Sequence, residues 1–337
     1  MFLVTGATGF LGSHLVCHLL QAGYEVKALK RSSSRMDEFN YVSSLYVTEN
    51  PHLLNQLHWV EGDVQDIFSL EEALVGVSKV FHAAAVVSFH SKDAQQLIAT
   101  NQKGTANLVN ICLEVGIKYF FHISSNTTVG ATNWGEMADE NTEWKFNKKT
   151  SQYSVSKYLA EMEVWRGAEE GLQICIINPS IILGPGIWKR GSCRLFYNVY
   201  HNFPFYSVGS SAFVDVKDVC RAILFLHDKG ITDQRYLIHG HNLSFKELFT
   251  KMALALDRKP PYIKITVSSV GIAWRFFKLV EWITGKRSMI TKESAQSSVK
   301  KQLFSSAKLM ALGFEITPIE ETIGYTAEAL NRSLNHQ

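Results

Sequence analysis

The stretch Phe2-Leu3-Val4-Thr5-Gly6-Ala7-Thr8-Gly9-Phe10-Leu11-Gly12 decides the fold, because an apolar run of strand type ends directly in a glycine-rich turn. Apolar residues at helical spacing follow, so a strand, a tight turn and a helix are predicted in that order. Gly6 would allow the sharp turn, Gly9 a close approach to a pyrophosphate, and Gly12 the packing of helix on strand. The free amides of the helix would then hold a phosphate. The spacing GxxGxxG departs by one residue from the dinucleotide fingerprint, and ordinary turn chemistry is the alternative.

Composition narrows the class of protein. The chain has 337 residues, 46% of them hydrophobic, and a net charge of +3, which suits a large globular core. The charges form no basic block, so a nucleic-acid partner is not expected. The cysteines form no CxxC pair and lie mostly in apolar runs, which predicts free thiols in the reducing cytoplasm, without a metal site. They are Cys17, Cys112, Cys175, Cys193 and Cys220.

No transmembrane segment is predicted, since the amphipathic stretch Ser268 to Arg287 is too short and too charged to span a bilayer. We expect it to form a helix that covers a pocket or contacts a partner subunit, with a membrane-surface helix as the alternative.

Strand-type runs alternate with helical stretches through the first half of the chain. After the first strand they are Glu25–Leu29, Leu57–Val60, Lys79–His82, Tyr119–Ile123 and Leu172–Ile177. Such alternation predicts a Rossmann-type α/β fold, a doubly wound parallel sheet that binds ligands at the carboxyl ends of its strands. We assign residues 1–178 to this domain. Residues 179–337 would form a smaller C-terminal lobe that binds substrate and returns some segments to the first domain.

Two helical patterns carry polar residues on a buried or shared face. The helix from about Asp93 to Val115 places Asn101 on its apolar side, where it would be a structural bridge or an active-site contact. In a second helical stretch, Tyr153 and Lys157 are four residues apart and share a face. A neighbouring ammonium would lower the pKa of the phenol and make Tyr153 a proton donor or acceptor. A YxxxK pair alone is common, but this one follows the strand that ends at Ser124-Ser125.

The ordered set of motifs resembles the extended short-chain dehydrogenase/reductase family over nearly the whole chain. Each motif is degenerate, whereas the order is specific. The motifs are Thr5 to Gly12, Gly62-Asp63-Val64, His82-Ala83-Ala84-Ala85, Asn101 to Thr105, Ser124-Ser125, Tyr153 to Lys157, Asn178-Pro179-Ser180, Gly184-Pro185-Gly186, Phe213 to Val219, and Ser306 to Pro318.

The resemblance implies hydride transfer between a nicotinamide and a substrate carbon, with Tyr153 exchanging the proton. Ser125 would bind the substrate oxygen, Lys157 would hold the ribose, and Asn101 matches the family's helix asparagine; Ser124 is the alternative to Ser125. The implied cofactor contacts are Gly6, Thr8, Gly9, Phe10, Leu11, Gly12, Lys30, Arg31, Asp63, Val64, Ala83, Ala84, Ala85, Tyr153, Lys157, Pro179 and Ile182. Implied substrate contacts are Val87, Asn126, Trp188 and Phe213. The resemblance also implies a homodimer.

Charge predicts the cofactor. NAD sites place a carboxylate at the end of the second strand, whereas NADP needs a cation there. That position aligns with Lys30, Arg31 follows it, and no acid occurs before Asp37. We therefore predict NADP as the preferred cofactor, with NAD as the alternative.

The substrate is predicted to be a small or medium, largely apolar carbonyl or secondary alcohol. Nucleotide-sugar enzymes of this family often place an arginine just before the segment that matches Phe213, and here the residues are Gly209 to Ala212. Aromatic and apolar residues instead surround the expected pocket: Val87, Phe89, Trp134, Trp188, Phe205, Tyr206 and Phe213. The pattern is similar to the branch of dihydroflavonol reductases and 3β-hydroxysteroid dehydrogenases. Two alternatives are an epimerase or dehydratase with tightly bound NAD, and a non-catalytic NAD(P) sensor.

Overall fold

The computed structural model describes residues 1–48, 50–130, 132, 136–147, 150–266 and 298–335. Trp134 and the amphipathic stretch Ser268 to Arg287 lie outside these residues, so their predicted roles stay predictions.

The strands are numbered along the described part of the chain. They are β1 (Phe2–Thr5), β2 (Val26–Lys30), β3 (Leu57–Glu61), β4 (Lys79–His82), β5 (Tyr119–Ile123), β6 (Met137–Ala138), β7 (Gln173–Pro179), β8 (Ile181–Leu183), β9 (Phe205–Ser207), β10 (Ser210–Asp215), β11 (Gln234–Ile238), β12 (His241–Ser244), β13 (Ile263–Ile265) and β14 (Leu303–Phe304). Seven of them form one parallel sheet in the order β11-β7-β5-β4-β1-β2-β3. The predicted doubly wound α/β fold is confirmed.

The α-helices are numbered in the same way. They are α1 (Phe10–Gln21), α2 (Asp37–Val47), α3 (Ile67–Leu74), α4 (Ala94–Leu97), α5 (Gly104–Glu114), α6 (Gln152–Glu169), α7 (Cys193–Tyr200), α8 (Val216–Asp228), α9 (Phe245–Ala255), α10 (Ala307–Met310) and α11 (Ile319–Asn335). Helices α1 and α8 pack against each other, as do α5 and α6, so helices cover both faces of the sheet.

The sheet is buried on both faces, which explains why its strands are continuous apolar runs. Neighbouring residues of one strand enter different cores: Leu3 packs with Leu108 and Phe120, whereas Val4 packs with Leu15 and Phe121. The period of two residues in a strand produces this alternation. The two cores fix the sheet against its helices and hold the carboxyl ends of the strands in place.

The helix predicted from Asp93 to Val115 is interrupted in its middle. A wide π-helical stretch, Ile98–Lys103, separates α4 from α5 and contains the buried Asn101. The Asn101 carbonyl accepts a 2.5 Å hydrogen bond from the Thr105 hydroxyl. The spacing of apolar residues over six positions cannot distinguish this wide turn from an α-helical turn. Tertiary contacts hold the wide turn in place, and the local sequence does not reveal them.

The second half of the chain builds its own small sheet and also completes the large one. Strands β12, β10 and β8 form a three-stranded sheet over a third apolar core, which includes Phe196, Phe213, Leu248 and Ile323. Strand β11 instead pairs with β7 and becomes an edge of the large sheet. The domain division at residues 178 and 179 remains a prediction.

Candidate active site

The glycine turn brings β1, β4 and α1 into contact. Gly6 has a φ of +70°, and a methyl group added there would lie 2.6 Å from the backbone of Ala83 and Ala84. A methyl group on Gly12 would overlap the Gly6 carbonyl oxygen. Glycine is therefore required at both positions, since backbone fills the space that a side chain would need. This junction lies where the strand order reverses between β4 and β2, which is where doubly wound sheets bind ligands.

The N-terminus of α1 has the features of a phosphate site. Gly9 caps the helix in an extended conformation, no side chain caps it, and its first turn contains no acidic residue. The first helical hydrogen bond runs from the Ser13 amide to the Gly9 carbonyl at 2.8 Å. The amides of Phe10, Leu11 and Gly12 precede it and have no partner within the helix. These donors and the positive end of the helix dipole fit the diphosphate of a dinucleotide.

The predicted cofactor contacts Lys30, Asp63 and Val64 lie at or after the ends of neighbouring strands. The Gly62 amide donates to the Lys30 carbonyl at 2.9 Å, and the Asp63 amide donates to the Ser69 hydroxyl at 3.0 Å. Val64 is buried and packs closely against Gly104. A methyl group added to Gly104 would lie 2.6 Å from the Val64 side chain. These contacts hold the loop after β3 beside the end of β2.

The alanine run and the residues at the far edge of the site are placed by their strands. Ala83 and Ala84 donate backbone hydrogen bonds of 3.2 Å to the carbonyl and hydroxyl oxygens of Thr5, and Ala85 is exposed. Thr8 and Ile182 are partly buried, whereas Pro179 is buried.

Tyr153 and Lys157 lie on α6 and contact the end of β5. The Lys157 Nζ atom donates a 2.8 Å hydrogen bond to the Ile123 carbonyl, two residues before Ser125. The Ser125 side chain interacts with the Tyr153 hydroxyl and favours the ionised phenol, which lowers the pKa of Tyr153. The Ser151 hydroxyl accepts from the Ser154 amide at 3.1 Å and caps the helix just before the tyrosine. The structure therefore brings the predicted serine, tyrosine and lysine together at one edge of the sheet, and their catalytic role stays a prediction.

The electrostatics differ from the prediction made for the phenol. Burial raises the pKa of Tyr153 above its usual value of 10, and the interaction with Ser125 opposes this effect only in part. Burial also lowers the pKa of Lys157 to about 8, against the opposing charge of Glu161. The expected lowering of the phenol pKa by the ammonium is thus corrected, because removal from water raises this pKa instead. A neutral phenol beside a charged amine results at pH 7.

Asn101 acts as a bridge in this structure. Its side-chain oxygen accepts from the Val86 amide at 2.7 Å, and its amide group donates to the Val86 carbonyl at 3.0 Å and the Ser156 hydroxyl at 2.9 Å. Ser156 in turn donates to the Tyr153 carbonyl at 2.8 Å. Of the two readings left open, these contacts favour the structural bridge, which ties the chain after β4 to the turn of α6 that carries Tyr153.

The predicted substrate residues separate into two groups. Val87 is 65% exposed, Asn126 is partly buried, and the Phe89 ring meets the Tyr153 ring edge to face at 5.7 Å. Trp188 and Phe213 are instead buried in the third core, where Phe213 packs against Phe245. Their burial favours a packing role over substrate contact. Phe205 and Tyr206 lie partly buried on β9.

Sequence reasoning missed a buried polar group behind the candidate catalytic residues. Glu161 is fully buried and accepts hydrogen bonds from Ser124, Thr128 and Asn178. Arg235 on β11 pairs with it at 3.2 Å. A signal for Glu161 was present, since it follows Lys157 by one helical turn on the same face.

The described residues offer neither a metal site nor a membrane-spanning helix. Among the described residues, no group of three or more His, Cys, Asp and Glu side chains could hold a metal ion. Nor does any helix in the described ranges have both the length and the apolar character that a bilayer crossing needs. All five cysteines are free and buried.

Comparison with known proteins places this site in a family. The model of the NAD dependent epimerase/dehydratase family matches residues 2–238. The chain belongs to that family, and the predicted kinship with extended short-chain dehydrogenases/reductases is confirmed. It is an NAD(P)-dependent oxidoreductase in the broad sense of that class.

Individual relatives align over most of their lengths. A sterol demethylase protein B from Methylococcus capsulatus is 32% identical over 248 residues, or 73% of this chain and 71% of that protein. A dihydroflavonol 4-reductase from Arabidopsis thaliana is 27% identical over 325 residues, or 92% and 77% of the two chains. The crystal structure of gox2253 superposes with a TM-score of 0.81 at 27% identity and covers 99% of this chain and 98% of that one.

Proposed function

We propose that the protein is an NADPH-preferring reductase that converts a small or medium, largely apolar ketone or aldehyde to the alcohol, and that can run in reverse. The convergence of Ser125, Tyr153 and Lys157 at the end of β5 is the observation that carries this proposal. It combines a neutral proton donor, a hydroxyl beside that donor and a cation in one buried place. These are the groups that reduction of a carbonyl requires from the protein.

Tyr153, Ser125 and Lys157 have distinct roles in the proposed reduction. The bound nicotinamide supplies the hydride. The phenol of Tyr153 donates its proton to the carbonyl oxygen, and its raised pKa keeps that proton available at neutral pH. The Ser125 hydroxyl donates a hydrogen bond to the same oxygen, where negative charge develops. Lys157 has one N–H on the Ile123 carbonyl, which leaves two for the ribose hydroxyls.

The end of β2 supports a preference for NADPH. Lys30 ends the strand and the exposed Arg31 follows it, so two cations stand where a 2′-phosphate would lie. Asp37 is the first acid after them, and its carboxylate already pairs with Arg35 at 3.1 Å and Arg190 at 2.9 Å. Both arginines contact the Oδ2 atom of Asp37, so this oxygen is committed to partners other than a ribose hydroxyl.

Three observations support an apolar substrate. Phe89 packs on Tyr153, so an aromatic surface adjoins the reacting hydroxyl. At Gly209, just before the Phe213 segment, any side chain would overlap the backbone oxygens of Ser298 and Lys300. An arginine for a sugar diphosphate thus has no space there. Two relatives bear names that refer to a dihydroflavonol and to a sterol, both of which are polycyclic ring systems without a phosphate group.

A substrate screen tests the proposal. Purified protein is mixed with a panel of aromatic ketones, dihydroflavonols, ketosteroids and aldehydes, and the absorbance of reduced nicotinamide is followed with NADPH and with NADH. We expect turnover with lower KM for NADPH. Protein that retains NAD and interconverts a nucleotide sugar without consuming cofactor would contradict the proposal in favour of an epimerase. Tight NADPH binding without turnover on any member of the panel would leave a sensor as the better explanation.

We also propose a homodimer in the cytoplasm. The dimer is supported by the family resemblance, and analytical ultracentrifugation of the purified protein tests it. The free, buried thiols support a reducing compartment, and fractionation of cells that make the protein tests the location.

A further inference from the structure

We propose that Glu161 is a positioning residue of the active site, whose carboxylate fixes the loop that carries Ser125 and supports the positive charge of Lys157. This inference rests on the proposed function, since it assigns Glu161 a part in the same chemistry. Glu161 does not contact the Tyr153 hydroxyl, and it acts through the residues that do.

One carboxylate oxygen of Glu161 holds both ends of the serine loop. Its Oε2 atom accepts from the Ser124 hydroxyl at 2.7 Å and from the Thr128 hydroxyl at 2.7 Å. It also accepts from the Asn178 side-chain amide at 2.9 Å. Ser124 and Thr128 bracket Ser125, so their shared acceptor sets the distance between the loop and α6.

Two hydrogen-bond partners of Glu161 also contact the backbone of Ser125. The Thr128 hydroxyl lies 2.9 Å and the Asn178 amide nitrogen 3.3 Å from the Ser125 carbonyl oxygen. Asn178 and Thr128 are also joined to each other at 2.8 Å. The Ser125 carbonyl is thus held by two partners of Glu161, while the Ser125 hydroxyl accepts from the Thr127 amide at 3.3 Å and donates to the Asn126 side chain at 3.4 Å within the same loop. A shift of this loop would separate the two groups that hold the carbonyl oxygen.

The charge of Glu161 is unusual for its place in the fold. The side chain is fully buried, and burying a carboxylate costs several kcal/mol unless it is paired. Arg235 provides the pair at 3.2 Å, and its guanidinium also donates to the Glu140 carbonyl. Ala160 and Val164 occupy neighbouring buried positions of α6 with apolar side chains, so packing alone does not require an acid here.

The charge acts on Lys157, one helical turn earlier. Removal from water lowers the pKa of Lys157 and Glu161 raises it, so the carboxylate helps to keep the amine charged at neutral pH. The other titratable groups that interact with Lys157 are His122 on β5 and His82 on β4, whose pKa values burial lowers, and both remain neutral. Tyr153 is protonated for the same reason. Glu161 is therefore the anion that balances the ammonium.

The test compares Glu161→Gln with Glu161→Asp and with a control. Glutamine keeps the shape and removes the charge, whereas aspartate keeps the charge. The control is Glu163→Gln, which removes a carboxylate from a more exposed face of α6, where it pairs with Arg166 at 3.0 Å. For each variant, the dissociation constant of NADPH is measured from pH 6 to pH 10, together with kcat and KM on the best carbonyl of the screen.

The expected result has two parts. Loss of the anion makes the Lys157 ammonium less favourable, so its pKa falls and NADPH binding weakens at lower pH in Glu161→Gln than in wild type. We expect this alkaline limb to shift by about 1 pH unit, and kcat to fall by roughly 10- to 100-fold through the misplaced Ser125. Glu161→Asp should keep the position of the limb and lose kcat, and Glu163→Gln should match wild type in both. A group that only stabilises the fold would lower the yield without moving the limb.

Thr128→Val keeps the inference testable if Glu161→Gln does not fold. It removes one contact to Glu161 and leaves the charge, so kcat should fall at least several-fold while the alkaline limb stays. An unmoved limb in a folded Glu161→Gln, or a wild-type kcat in Thr128→Val, would overturn the inference. If wild type reduces no carbonyl, the proposed function fails, and the pH dependence of NADPH binding still decides the role of Glu161.

Discussion

The Nε2 atom of His14 lies 2.9 Å from the carbonyl oxygen of Pro185 and links α1 to the loop after β8. The other ring nitrogen, Nδ1, lies 2.7 Å from the Tyr46 hydroxyl on α2. His14 is buried, and burial lowers its pKa to about 3. The imidazole is therefore neutral in the folded protein and joins three segments around the predicted cofactor site.

Acid should destabilise the protein through its buried histidines. The pKa of His14 and that of His82 are each lowered from 6.5 to about 3 by burial. The unfolded chain takes up these protons below pH 6.5 while the folded chain does not, so stability falls as the pH drops from 6.5 towards 3. At pH 5 each histidine should cost about 2 kcal/mol of unfolding free energy. Urea unfolding at pH 7 and pH 5 measures the loss.

Two variants separate this linkage from simple damage. His14→Gln should show an acid loss smaller than that of wild type by about 2 kcal/mol. Leu108→Ala, which opens a cavity in a core at a buried leucine of α5, should lose about 2–5 kcal/mol at both pH values and keep the wild-type difference between them. An unchanged pH dependence in His14→Gln would show that this imidazole is not the titrating group.

Tyr153→Phe should remove turnover and spare the cofactor. The variant lacks the proton donor, so we expect kcat to fall by about 10²- to 10⁴-fold, with the dissociation constant of NADPH changed only slightly. Stopped-flow single turnovers give the first quantity and fluorescence titration gives the second. Tyr158→Phe is the matched control, since Tyr158 lies on the same helix as Tyr153 and its ring stacks on the Trp144 ring at 4.0 Å. A Tyr153→Phe enzyme of full activity would remove the acid–base role.

Lys30→Ala should weaken discrimination between the two nicotinamide cofactors. Loss of a cation beside a phosphate removes a charge-assisted hydrogen bond of about 1.5–3 kcal/mol, so KM for NADPH should rise by roughly 10- to 100-fold while KM for NADH changes little. Lys27→Ala serves as the comparison, because Lys27 lies on the same strand as Lys30 and its Nζ atom donates to the Val75 carbonyl at the end of α3. Equal effects on both cofactors, or a wild-type enzyme that prefers NADH, would refute the charge argument.

Gly12→Ala should damage the cofactor site more than the helix. The added methyl group overlaps the Gly6 carbonyl oxygen, so the turn must move, at a cost of about 1–3 kcal/mol in unfolding free energy and with loss of NADPH binding. Gly324→Ala in α11 is the control, since nothing lies within 4 Å of the added carbon, and alanine should stabilise that helix by up to about 1 kcal/mol. Thermal unfolding with and without NADPH distinguishes the two variants. Retained NADPH binding in Gly12→Ala would contradict the tight junction.

The periodic part of the fold was readable from the sequence. Strands buried on both faces are continuous apolar runs, so β1 to β5 and β7 were predicted within two residues of their bounds at either end. The turn from Gly6 to Gly12 was readable because glycine spacing reports backbone crowding directly. The proximity of the candidate catalytic residues also followed from the sequence, since Tyr153 and Lys157 share a helix and Ser125 closely follows a strand; their catalytic role stays a prediction.

The rest depends on contacts between residues that are distant in the chain. Glu161 and Arg235 are 74 positions apart on different elements, and no local pattern indicates that they pair. The raised pKa of Tyr153 has the same origin, because burial by the assembled fold, rather than the neighbouring lysine, decides its sign. Trp188 and Phe213 were predicted to face substrate, and aromatic composition could not distinguish a pocket wall from a packed interior.

The position of Arg235 on β11 affects how this enzyme can be divided. A fragment that stops at residue 178 keeps the glycine turn and every predicted acid–base residue, yet it lacks the strand that bears the partner of Glu161. In such a fragment the buried carboxylate of Glu161 would lack its counter-ion, and one edge of β7 would lack its neighbouring strand. The seven-stranded sheet is thus discontinuous in sequence, and we expect that splitting this enzyme at the predicted boundary would yield a first half that does not fold alone.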